Sequence, residues 1–206
     1  MKVAVLGGTG DFGLALAKRL VAAGDDVTIG SRDAARAREA AGRVGASGAT
    51  NEEVVEAADL VVLAVKADAA LATASALSVS IGERPVLSVA SELRFTKSGV
   101  LPRDDDRSLA ERTQHLLRGP VVAGLHSLAA SNLAGDDAPE QDALVCGDDD
   151  EAKTLALELA AKVVAGRALD AGPLASARAL EGLTAIVVNL NRRYKAHAGV
   201  RITGVG

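Results

Sequence analysis

Apolar residues fall into short continuous runs separated by amphipathic stretches, and the two alternate at close spacing along the chain. Residues 2–6, 26–30 and 59–65 are near-continuous β-prone runs, the form taken by strands covered on both faces. Helical periodicity is predicted over 11–23, 33–42 and 51–57, the last opening on Asn51-Glu52-Glu53 as a capped start. A further helix is predicted over 67–77, and residues 85–90 read as the next strand. Residues 91–119 are polar and irregular until a helix through Leu109, Leu116 and Leu117. A strand over 120–125, a loop over 130–142 and a strand over 143–146 follow. The remainder is a helix over 151–164, a short strand over 167–170, and a long apolar helix from Pro173 to about Asn191. Such βαβ repetition predicts an α/β fold with a doubly wound, mainly parallel sheet and a small C-terminal helical and strand extension.

The first strand runs directly into Gly8-x-Gly10-x-x-Gly13, which opens the first helix. That context turns a weak glycine motif into a dinucleotide-binding, Rossmann-type signature. The spacing predicts a sharp turn at Gly8, close approach of a pyrophosphate at Gly10, and close helix packing at Gly13. Thr9, Asp11 and Phe12 lie in the same loop, whose helix N-terminus offers unpaired N–H groups and a positive dipole end. At the end of the second strand, an NAD-selecting protein places an acidic residue to bond the ribose 2′-hydroxyl. Here that position reads as Gly30, followed by Ser31 and Arg32. A guanidinium grips a 2′-phosphate bidentately, and Arg36 lies one turn further on, so these residues predict NADP rather than NAD. Ala64 and Val65, ending the third run, are expected to line the same cofactor. The ligand crevice is expected at the carboxyl ends of the strands, beside Gly8–Gly13.

Composition narrows the remaining classes. The chain has 206 residues, 49% of them hydrophobic, yet its only aromatic residues are Phe12, Phe95 and Tyr194. The core is therefore aliphatic. A net charge of −4 and the lack of a basic stripe with interleaved aromatics give no reason to expect nucleic-acid binding. The single Cys146 excludes an intrachain disulfide and a Cys-based zinc cluster, and it fits a cytoplasmic location. The N-terminal apolar run stops at Leu6, too short for a secretion signal, and no stretch approaches a membrane span. No metal site is expected: Asp148-Asp149-Asp150-Glu151 reads as a helix start, with Asp148 and Glu151 at capping-box spacing. His115 and His197 read as surface residues. His126 follows a buried-looking strand and stands near the expected crevice, as does Lys66. No Gly-x-Ser-x-Gly elbow is present, so the chemistry falls to the bound cofactor and its positioning.

Over nearly its whole length the chain resembles the NADPH-dependent F420 reductases, also called coenzyme F420:NADP oxidoreductases. The matching segments are Leu6–Gly10, Gly30-Ser31-Arg32, His126, Val145–Glu151, Leu169–Leu174, and Ser176-x-Arg178-x-x-Glu181-x-Leu183-Thr184 with Asn189. The resemblance implies direct hydride transfer between NADP(H) and the deazaflavin coenzyme F420, with no catalytic acid or base required of the protein. It implies that Thr9, Ser31, Arg32 and Arg36 hold NADP, within a binding domain over 1–125. It further implies that His126, residues 127–131 and the start of the last helix line the second-ligand cleft, completed by an extension over 126–206. The chain departs from the family pattern around that second ligand. Lys66 and Ala185 stand where prolines are usual, the segment after His126 reads Ser-Leu-Ala-Ala, and Ala90–Phe95 replaces a proline-rich stretch. Two alternatives follow: an NADPH-dependent reductase of another acceptor (imine, ketone or flavin), and a non-catalytic NADP sensor. A homodimer is open on this reading, the apolar last helix packing either on its own domain or on a partner.

Overall fold

The computed structural model of the chain describes residues 1–205. In chain order the elements are β1 (Lys2–Leu6), α1 (Asp11–Ala22), β2 (Asp26–Ser31), α2 (Ala34–Gly42), β3 (Ser47–Thr50), α3 (Asn51–Glu56), β4 (Leu60–Leu63) and α4 (Ala67–Ile81). They continue with β5 (Val86–Ser88), β6 (Leu93–Thr96), β7 (Gly99–Pro102), α5 (Leu109–Gln114), β8 (Val121–Gly124) and α6 (Ala130–Leu133). Last come β9 (Ala143–Gly147), α7 (Asp150–Val163), β10 (Ala168–Asp170), a 3-10 turn (Leu174–Ser176) and α8 (Ala177–Tyr194). Eight strands form one sheet in the order β10-β9-β8-β5-β4-β1-β2-β3. From β8 to β3 every pairing is parallel, which is the doubly wound dinucleotide-binding order. β9 runs antiparallel to β8, and β10 follows β9.

The continuous apolar runs have a direct structural meaning. In β1, Val3 and Val5 enter the core on one face while Ala4 and Leu6 enter the core on the other; β4 divides Leu60 and Val62 from Val61 and Leu63 in the same way. Successive strand side chains point to opposite faces, so a strand covered by helices on both sides has no polar position to spare. α1, α2 and α7 cover the first face. α3, α4, α5 and the start of α8 cover the second.

Several expected boundaries move. β3 carries the sequence Ser-Gly-Ala-Thr and has no apolar run to announce it; it forms because a Cβ on Gly48 would lie 2.5 Å from the Ala37 carbonyl carbon, so only glycine lets α2 pack this close. The stretch read as irregular holds the antiparallel β6–β7 hairpin. Asn189 of α8 clamps it: its amide donates to the Val100 carbonyl at 2.7 Å and accepts the Val100 N–H at 2.8 Å. The loop expected over 130–142 contains the short α6. The last helix begins at Ala177 rather than Pro173 and extends to Tyr194. Caps shift as well. Thr50, not Asn51, caps α3 in a capping box with Glu53, and Asp149 caps α7 while Asp148 accepts the Leu174 N–H at 2.9 Å.

Glu181 joins α8 to α5. Its buried carboxylate accepts the N–H of Leu109, the first residue of α5, at 2.7 Å. Burial, reinforced by nearby Glu92, pushes its pKa up from 4.5 to about 7 despite the main-chain N–H groups that favour the anion. The folded state therefore keeps a proton that the unfolded chain releases. Between about 4.5 and 7 this group makes the fold less stable as pH rises, by on the order of 3 kcal/mol in all. Glu181→Gln keeps an acceptor for Leu109 and cannot ionise. Urea unfolding of both proteins at pH 5 and pH 8 is expected to give a stability difference that grows in favour of the variant at the higher pH.

Candidate functional site

Because β1, β2, β4, β5 and β8 are parallel, their carboxyl ends share one edge of the sheet, and the residues singled out in the sequence gather there. The turn off β1 is made at Gly7, with φ of 84°, and not at Gly8. A Cβ on Gly7 would lie 2.7 Å from the main chain of Ala64 and Val65, so the segment leaving β4 presses directly on the glycine loop. The Ala64 N–H donates to the Leu6 carbonyl at 2.8 Å and fixes that approach. Gly8 is packed under Ile29, and a Cβ on Gly13 would lie 2.6 Å from the Gly7 carbonyl oxygen. Gly10 differs: it is exposed, and the nearest atom to an added Cβ is 3.4 Å away.

α1 begins immediately after Gly10 with no side-chain cap. The N–H groups of Asp11, Phe12 and Gly13 lie within its first turn, where no intrahelical acceptor reaches them. They open beside an exposed glycine at the positive end of a helix 12 residues long. An open cradle over uncapped N–H groups fits a pyrophosphate.

At the end of β2 the strand runs one residue further than the sequence pattern predicts, to Ser31. Gly30 faces inward: a Cβ there would lie 2.8 Å from both Asn51 Oδ1 and Val54 Cγ2. Gly30 is thus a packing glycine beneath α3, and the strand-end position belongs to Ser31. Ser31 Oγ accepts the Asp33 N–H at 3.2 Å, and the Asp33 carboxylate turns to cap α2, accepting the Ala35 N–H at 2.8 Å. Arg32 and Arg36 are exposed, and among the described residues neither donates a side-chain hydrogen bond nor joins an ion pair. The adjacent Asp33 carboxylate is committed to a helix end, and Glu39 pairs with Arg43. Two guanidiniums therefore stand next to the ribose-selecting position with their donors available.

His126 lies on the same edge, immediately after β8, with three strand spacings, about 14 Å, between β8 and β1. Leu125 before it is buried and left-handed, with φ of 65°, a conformation that non-glycine residues adopt only under constraint from their surroundings. His126 is 5% exposed, and neither ring nitrogen has a hydrogen-bond partner among the described residues. Burial lowers its pKa to about 4, the nearby Ala90 main chain offsetting little of the effect, so the imidazole is neutral at ordinary pH. Its carbonyl accepts from Thr184 Oγ at 2.8 Å, and Ser91 Oγ stands 2.8 Å from the same hydroxyl. Ser88, ending β5, is fully buried, and among the described residues its hydroxyl also lacks a hydrogen-bond partner. Buried polar atoms without partners are uncommon and ask for an explanation. Both residues stand at the carboxyl ends of neighbouring strands, Ser88 on β5 and His126 after β8. Lys66 is exposed at the N-cap of α4 on the same edge. His115 and His197 are surface residues, the second 3.1 Å from Ser131 Oγ. The left-handed Leu125, the orphaned Ser88 and the inward Asn51 carry no local sequence signal, since each is defined by what lies opposite it.

Residues 2–92 match the family model described as NADP oxidoreductase coenzyme F420-dependent. The F420-dependent NADP reductase of Methanothermobacter marburgensis is 37% identical over 222 aligned positions, covering 100% of this chain and 99% of that protein. The protein of the same name from Methanocaldococcus jannaschii is 34% identical, covering 100% and 99%. Among solved structures, a chain from Arthrobacter sp. FB24 superposes with a TM-score of 0.86 at 24% identity, covering 99% of this chain and 100% of that one. At that identity the superposition speaks for the fold alone.

Proposed function

This chain belongs to the F420-dependent NADP reductases, and on that footing we propose that it is an oxidoreductase exchanging hydride between NADP(H) and coenzyme F420 along the carboxyl edge of its sheet. The observation that carries the reading is the pairing on one edge of an uncapped glycine cradle with a buried imidazole whose ring nitrogens have no hydrogen-bond partner among the described residues. Gly8, Thr9, Gly10, Asp11, Phe12 and Gly13 hold the pyrophosphate, Ser31, Arg32 and Arg36 the 2′-phosphate, and Ala64 and Val65 the nicotinamide side. His126 and the segment after it, with the start of α8, form the wall for the deazaflavin. On this division residues 1–125 bind NADP and residues 126–206 complete the cleft. When bound, the two rings would exchange a hydride, and the proton that balances NADPH + F420 + H+ against NADP+ + F420H2 would come from solvent rather than from a protein acid. The chain's part is to hold the rings in register and to keep water out. Its aliphatic strand ends and a histidine kept neutral down to about 4 serve that purpose.

The test is to mix purified protein with NADPH and oxidised F420 and follow the loss of the deazaflavin's visible absorbance. Turnover is expected across pH 5–8 without a step from His126. No turnover at any pH from acid to mildly alkaline would overturn the reading. NADPH oxidation by an imine, ketone or flavin alone would favour a different acceptor, and tight NADPH binding without any turnover would favour a sensor.

The working unit is proposed to be a homodimer in the cytoplasm. Leu101, Ile186 and Leu190 are exposed around a groove of about 560 Å³ between β7 and α8. Gly182 lies mid-helix on that face with nothing within 4 Å of an added Cβ. A mid-helix glycine costs about 1 kcal/mol relative to alanine, and a second copy of the same helix would use the space it leaves. Light scattering is expected to give twice 20.8 kDa. The single Cys146 is buried and its thiol is pushed up to about 12, which suits a protein that makes no use of disulfides. Among the described residues no helix is long and apolar enough to cross a membrane.

A further inference from the structure

Arg19 lies on α1, the helix that begins at the glycine cradle, yet its half-buried side chain points away from the cofactor end and into the segment that follows His126. Its Nε donates to the Leu133 carbonyl at 2.9 Å, Nη1 to Asp136 at 3.0 Å, and Nη2 to Gly135 at 2.7 Å and also to the Asp137 carbonyl. The neighbouring Lys18 Nζ donates to the Ala134 carbonyl at 3.5 Å. Together the two cations of α1 take up every main-chain carbonyl from Leu133 to Asp137. These are the last carbonyl of α6 and those of the turn after it, which no intrahelical N–H can reach. A cation at a helix C-terminus is favoured by charge as well as geometry, and the planar fork of a guanidinium can serve several carbonyls that lysine cannot serve together.

The segment needs such a fastening. Its inner end is fixed by the left-handed Leu125, by Thr184 on the His126 carbonyl, and by Ser127 Oγ donating to the Asp142 carbonyl at 3.3 Å. Its outer half is held, apart from Arg19 and Lys18, by Leu133 in the core and by Ser131 and Asn132 against His197. Neither dinucleotide binding nor the packing of α1 on the sheet calls for an arginine at position 19.

We propose that Arg19 is a positioning residue for the reaction: it fastens the 126–137 segment to the dinucleotide-binding helix, so that the wall of the second-ligand site is held in register with the cradle for NADP. The proposal rests on the reading of His126 and the residues after it as the deazaflavin wall. Two variants test it, Arg19→Gln, which keeps one donor, and Arg19→Lys, which keeps the charge without the fork. Amide hydrogen exchange of the free protein is measured beside the steady-state constants. In Arg19→Gln, exchange within 128–137 is expected to speed up about tenfold, with the sheet unchanged. The KM for F420 is expected to rise about tenfold while kcat stays within about threefold and NADPH affinity is unaltered. Arg19→Lys falls between Arg19→Gln and the unsubstituted protein. Unchanged exchange in 128–137, or faster exchange spread over α1 and the sheet, overturns the fastening. Faster exchange confined to the segment with an unchanged KM for F420 leaves the fastening in place; it overturns the segment's assignment to the second ligand, and with it Arg19's part in the reaction.

Discussion

Gly10→Ala is expected to leave the protein folded and to weaken NADPH by about ten- to hundredfold, the loss of one or two charge-assisted hydrogen bonds to phosphate. Gly10 has φ of −90° and ψ of 163°, extended backbone that alanine adopts without strain, and a methyl group there comes no nearer than 3.4 Å to the Gly7 carbonyl. Alanine is a poorer N-cap than glycine by a few tenths of a kcal/mol or more, but it also narrows the unfolded ensemble, and the two effects oppose each other. What the methyl group does occupy is the open side of the cradle above the N–H groups of Asp11, Phe12 and Gly13. Gly13→Ala makes the contrast. Its methyl would lie 2.6 Å from the Gly7 carbonyl oxygen and 2.8 Å from Gly8 Cα, so the loop itself must move. Loss of NADPH there comes with a lower Tm, whereas Gly10→Ala loses NADPH at nearly unchanged Tm. Fluorescence titration and thermal denaturation of both variants check this. Full NADPH affinity in Gly10→Ala would remove the pyrophosphate from this loop.

The difference between these two glycines also marks how far the sequence could be read. A strand running into Gly8-x-Gly10-x-x-Gly13 and then into a helix is a local pattern, and local patterns put the glycine loop and His126 on one edge, while the second-strand end fell one residue short, at Gly30 instead of Ser31. The double-sided strands were equally legible, because apolar runs without polar alternation follow directly from helices on both faces. What escaped was set by partners distant in sequence. The tight turn sits at Gly7, where an added Cβ would lie 2.7 Å from the main chain of Ala64 and Val65, a neighbour 57 residues away that the motif does not encode. The β6–β7 hairpin depends on Asn189 across a separation of 89 residues. β3 has no apolar signal, only a glycine that admits α2. In the site, the orphaned nitrogens of His126 and hydroxyl of Ser88 became visible only once burial and the absence of neighbours were known.

The choice of NADP over NAD yields the sharper reversal. Arg32→Ala is expected to weaken NADPH by about ten- to hundredfold, about 1.5–3 kcal/mol, and to leave NADH nearly untouched, because only the first carries a 2′-phosphate for the guanidinium. The exposed Arg32 joins no ion pair among the described residues, and the adjacent Asp33 is engaged with the Ala35 N–H at 2.8 Å and the Arg36 N–H at 3.4 Å. The acidic residue that would recruit NADH has one place to go. At Gly30 a Cβ would lie 2.8 Å from Asn51 and Val54, so Gly30→Asp forces α3 off the sheet and should lower Tm without creating NADH binding. Ser31, half-buried at the true end of β2, is the position that remains. The pair Ser31→Asp with Arg32→Ala is therefore expected to bind NADH more tightly than NADPH: the carboxylate accepts from the ribose hydroxyls of NADH and repels the phosphate of NADPH. Titration of both cofactors against the single and double variants decides it. Equal weakening of NADH and NADPH in Arg32→Ala would mean that the guanidinium serves the fold or the pyrophosphate, and the selectivity would then have to lie with Arg36, one turn along the same exposed helix face.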